Sequence, residues 1–66
     1  MSIVFKVTLC NTDLESQELN LNDEHEAKEI ADRLRRFLPD RLIHAIILEK
    51  LEYNNEELVS IIQLEY

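Results

Sequence analysis

Residues 41–66 read RLIHAIILEKLEYNNEELVSIIQLEY, and the fold turns on how this stretch is parsed. Ile, Leu, Val and Tyr dominate it, the residue types that fit a pleated, half-buried surface. Residues 41–53 are apolar on both faces up to Leu48. Asn54 and Asn55 interrupt the pattern, and Asn tolerates the positive φ that a two-residue hairpin turn requires. Residues 58–66 then form the returning strand. Leu58, Ile61 and Ile62 also fit a helical period, with Asn55 as the cap, but the β-branched content and the turn spacing favour a hairpin.

A turn at Asn54-Asn55 pairs Tyr53 with Glu56 and so sets a register. One face carries Leu51 opposite Leu58, Ile47 opposite Ile62, Ala45 opposite Leu64 and Ile43 opposite Tyr66, a coherent core face. The other carries Lys50 opposite Val59, Leu48 opposite Ile61, Ile46 opposite Gln63 and His44 opposite Glu65. One pair is unfavourable in this register: Glu52 meets Glu57, and like charges directly opposite destabilise.

Working outward, residues 2–10 alternate, with Ile3, Phe5, Val7 and Leu9 on one side and Lys6, Thr8 and Cys10 on the other with Val4, a strand. Asn11-Thr12-Asp13 is turn chemistry. Residues 14–21 read as a second, antiparallel strand, whose Glu15 and Glu18 suit a sheet edge. Asp23, with Glu26 three residues on, opens a helix. Its apolar stripe is Ala27, Ile30, Ala31, Leu34, Phe37 and Leu38. Acids fill its first turns and Arg33, Arg35 and Arg36 its last, each end matching the macrodipole, and Pro39 stops it. The expectation is a single α+β domain over residues 1–66: ββαββ, a four-stranded antiparallel or mixed sheet with one helix packed on one face.

Composition narrows the function classes. The chain has 66 residues and no Gly, which excludes the glycine-rich phosphate loops and the dinucleotide fingerprint. Its one cysteine, Cys10, makes neither an internal disulfide nor a multi-cysteine zinc site. His25 and Glu29 share a helix face, but two ligands do not close a metal site. No hydroxyl or thiol sits in a nucleophile motif. The expectation is therefore a non-enzymatic protein with no cofactor and no metal. The longest apolar run is far too short to span a bilayer and the N-terminus lacks a signal pattern, so a cytoplasmic location without membrane binding is expected.

The net charge is −7. Residues 1–26 carry −5, residues 27–41 carry +2, and residues 42–66 carry −4. The basic island of Arg33, Arg35, Arg36 and Arg41 serves the helix end and pairs with Asp32 and Asp40. An acidic chain does not suit nucleic acid, whose binding rests on neutralising phosphates. Two partner classes remain. One helix covers one sheet face, so Ile46, Leu48, Val59 and Ile61 should cluster on the other and support a homodimer. Alternatively, acids mimic phosphates and occupy a basic site on a target protein. Glu49, Glu52, Glu56 and Glu57 are the first candidates for that surface, with Asp13, Glu15 and Glu18 on the first hairpin as a second set.

Overall fold

Alternation at the N-terminus yields β1 (Ser2–Asn11), and the turn that follows returns the chain as β2 (Ser16–Leu21). The computed structural model describes residues 1–65, with Asp40 through its backbone only. The β1–β2 turn is closed by Asn11. Its N–H donates to the Glu15 carbonyl at 3.0 Å, and its carbonyl accepts from Leu14 N–H at 3.0 Å. Its side-chain Oδ1 accepts from the N–H groups of Asp13 at 3.0 Å and Glu15 at 2.9 Å. Asn is suited to this because its short amide reaches the backbone two residues on.

The helix, α1 (Glu24–Phe37), starts where the carboxylate of Asp23 accepts from the N–H of His25 at 3.3 Å. It ends at the C-cap Leu38, whose N–H donates to the Leu34 carbonyl. Pro39 follows, and a 3₁₀ turn at Asp40–Leu42 leads into β3 (Ile43–Asn54) and β4 (Glu57–Leu64).

All four strands form one sheet, in the order β2-β1-β3-β4, with every neighbouring pair antiparallel. The expected α+β architecture is thus present in its all-antiparallel form. β2 and β3 flank β1 and run parallel to each other, and α1 is the crossover between them. The helix rests chiefly on β3 and β1. The core is Phe5, Val7 and Leu48 from the sheet against Ala27 and Ala31 from the helix, with Leu21, Leu34, Ile46 and Leu64 at its fringe. Two alanines at the contact let the helix lie close to the sheet, where interior packing density leaves little room.

The β3–β4 register differs from expectation. The two turn residues are Asn55 and Glu56, with φ of 52° and 68°. Asn54 pairs with Glu57 and Tyr53 with Leu58. A bulge then leaves Val59 as the extra residue, and Glu52 pairs with Ser60 and Leu51 with Ile61. Turn and bulge together slip the pairing by an odd number of residues, which reverses the faces of one strand relative to the other. The slip also separates Glu52 from Glu57, removing the like-charge pair of the expected register. Tyr66, the expected partner of Ile43, lies outside the described residues.

Candidate interaction surface

Residues paired across a sheet project to the same side. On the helix side, Val7 faces Leu48 and Leu9 faces Ile46. On the open side, Val4, Leu51 and Ile61 form one row across β1, β3 and β4, with Tyr53 opposite Leu58 beside it. Leu51 is only 5% exposed although it lies on the face away from the helix. Ile61 remains 56% exposed, and Leu58 and Val59 are also exposed.

The four residues expected to cluster on the open face are therefore split. Ile61 lies there, with Val59 at the bulge beside it. Leu48 and Ile46 do not: Leu48 is fully buried in the helix-side core and Ile46 packs against it. The odd register slip is the physical reason. The β3 residues on the open face are instead Leu51 and Ile47, which the expected register assigns to the core face.

A polar row adjoins the apolar one, running from Asn20 through Lys6 and Glu49 to Gln63. Lys6 Nζ lies 3.6 Å from Glu49 Oε1 and 3.9 Å from Glu18 Oε1, so it bridges β2 and β3. Glu52 is on the opposite side of the sheet, 3.5 Å from Lys50 Nζ. Glu49, Glu52, Glu56 and Glu57 consequently do not make one surface: two are held by lysines on opposite faces, and two sit at the hairpin turn.

His44 and Glu65 do not form a cross-strand pair. They line an open cavity of about 630 Å³ at one end of the sheet, with Arg35, Ile46, Gln63 and Leu64 among others. His25 Nε2 lies 3.1 Å from Glu29 Oε1, one turn along the helix, with both side chains in solvent. Asp32 meets Arg36 at 3.0 Å in the same way. Cys10 is half-buried and its Sγ donates to the Asn11 carbonyl. Among the described residues no group of three or more His, Cys, Asp or Glu is placed to hold a metal ion. None of the described helices is long and apolar enough to cross a membrane.

Phe37 departs from its expected place in the core stripe and is 80% exposed. It lies with Ile30 on the helix flank nearest β2. There Ile30, Arg33, Leu34, Phe37 and Leu38 line a hollow of about 320 Å³. A second hollow of about 300 Å³ continues from it between the helix and β2, lined by Leu9, Leu19, Ile30 and Leu34 among others. Sequence reading missed this groove because Ile30 and Phe37 are helically spaced with the true core stripe. The lag of Ile30 by about 100° behind Ala31 around the helix axis was the available signal, and Phe37 lies seven residues on from Ile30 on the same flank. No protein-family model, curated protein or solved structure matches the chain.

Proposed function

We infer that the protein is a non-enzymatic interaction module that forms a two-fold dimer through its open sheet face. The observation that carries this reading is the exposed apolar group of Leu58, Val59 and Ile61, with half-buried Val4 in the same row of the open face. Exposed apolar patches of this kind commonly mark contact surfaces. The Cα envelope is a slab of 40 × 23 × 15 Å, so its broad face has room for the about 800 Å² that each partner of a standard interface buries. Two such sheets stack at about 10 Å, the spacing at which side chains interdigitate. A chain of this length also has a limited core of its own, and association supplies further burial.

Light scattering over a concentration series tests the reading. The wild type is expected at the dimer mass, and Ile61→Lys at the monomer mass. Circular dichroism should be unchanged in the variant, since Ile61 is already solvent-exposed. A wild type that stays monomeric at every concentration overturns the dimer.

A further inference from the structure

We propose that the groove between α1 and the β2 edge is a second docking site, which binds an extended, basic segment of another protein by strand addition. It is independent of the dimer face, on the other side of the sheet. Three observations converge on it. First, β2 is an outer strand, so one row of its backbone N–H and C=O groups has no strand beside it. Second, a largely apolar hollow lies between the helix and β2, where Leu9, Leu19, Ile30 and Leu34 line it with Gln17 and Glu18, and a hollow on the helix that shares Ile30 and Leu34 extends it to Phe37. Leu19 and Phe37 are 47% and 80% exposed, which leaves much of their apolar surface for a ligand.

Third, the segment that carries the edge is acidic throughout, with Lys6 of β1 and Arg33 of the helix as the cations beside it. Residues 11–26 contain Asp13, Glu15, Glu18, Asp23, Glu24 and Glu26 and neither Lys nor Arg. That selects among occupants. Two copies of this edge would bring two acidic strands together, which like-charge repulsion opposes, whereas a basic strand is attracted. An added strand alternates its side chains between faces. On the helix side they enter the hollows, where Arg33 at the outer wall favours apolar groups over cations. On the open side they meet Ser16, Glu18 and Asn20, of which Glu18 is the acid; it lies 3.9 Å from Lys6 but is exposed enough to take a second cation from the outer side. The ligand chemistry is therefore an extended peptide with Val, Ile or Leu at alternate positions and Lys or Arg between them. Main-chain hydrogen bonds supply affinity and the alternate side chains supply selectivity.

The probe is a fluorescein-labelled peptide alternating Val with Lys, followed by anisotropy. A counterpart alternating Val with Glu and one with Pro at the central position serve as comparisons. The Lys peptide should bind, while the Glu and Pro peptides should bind at least about tenfold more weakly. Leu19→Asp and Phe37→Ser should each weaken binding at least about tenfold, the loss expected when a buried apolar contact is removed. Ile61→Lys, on the other face, should not. Backbone amides of β2 should gain hydrogen-exchange protection in the complex. Binding that ignores Leu19→Asp and Phe37→Ser, or that treats Lys and Glu peptides alike, overturns the site. A dimer lost in Leu19→Asp but kept in Ile61→Lys would assign the edge to a second copy instead and also overturn it.

Discussion

Leu14 and Glu56 sit where glycine normally does. Leu14 has φ of 64° at the end of the first turn and Glu56 has φ of 68° in the second. A side chain with a Cβ is strained there, by about 1–2 kcal/mol for left-handed backbone. Neither residue contributes burial in compensation, since both are exposed. Leu14→Gly and Glu56→Gly should therefore each stabilise the chain by about 0.5–1 kcal/mol, after the entropy that glycine adds to the unfolded state. In a domain of this size that is a rise in Tm of a few degrees, on a scale of about 4–8 °C per kcal/mol. Leu14→Ala is the informative comparison, because it removes the exposed side chain and keeps the Cβ. Thermal melts in which the glycine and alanine variants coincide would contradict strain as the cause. The same backbone feature explains why the second turn was misread. Asn at both central positions is the better fit to positive φ, so sequence favours Asn54-Asn55. The observed turn puts Glu56 at φ > 0, and the shifted pairing takes Glu52 away from Glu57 and gives it Ser60.

At the scale of elements, the four strands and the helix were legible because their periods are strong: alternation in β1, three- and four-residue steps in α1. Which face of β3 meets the helix was not. Residues 45–48 are apolar on both sides, so periodicity carries no information about direction there. The choice is made by pairing with β1. In the observed register Val7 meets Leu48 and Leu9 meets Ile46 under the helix, while Lys6 meets Glu49 on the open side at 3.6 Å. A one-residue slip would turn the lysine and its acid to opposite faces. The rotation of α1 was similarly only half legible, since Ala27, Ala31, Leu34 and Phe37 all fit one stripe by spacing. Two substitutions separate core from flank. Ala31→Leu adds volume where the helix touches the sheet and should cost about 1–3 kcal/mol. Phe37→Ser should change stability by no more than about 0.5 kcal/mol, despite the larger side chain removed. Urea titrations of the two give the ranking, and a Phe37→Ser variant as damaged as Ala31→Leu would put Phe37 in the core.

For the whole molecule, charge and apolar surface pull in opposite directions, and salt separates them. Each copy carries −7, so a dimer gathers −14 within two slabs whose longest Cα dimension is 40 Å. At 0.01 M salt the screening length is about 30 Å and most of those charges repel one another. At 0.15 M it is about 8 Å and only near neighbours do. The apolar row that would hold the dimer has no such dependence. Self-association should therefore tighten with added salt over this range, on the order of tenfold in the dimer dissociation constant. Binding of a basic strand at the β2 edge should move the other way, because there the distant charges attract. Light scattering and peptide anisotropy at the two salt concentrations measure both slopes on one protein. A dimer that loosens as salt rises would mean that ion pairs, Lys6 with its acids foremost, hold the interface rather than Leu58, Val59 and Ile61. The open face would then be read as an electrostatic surface, with its apolar row serving only to pack the sheet.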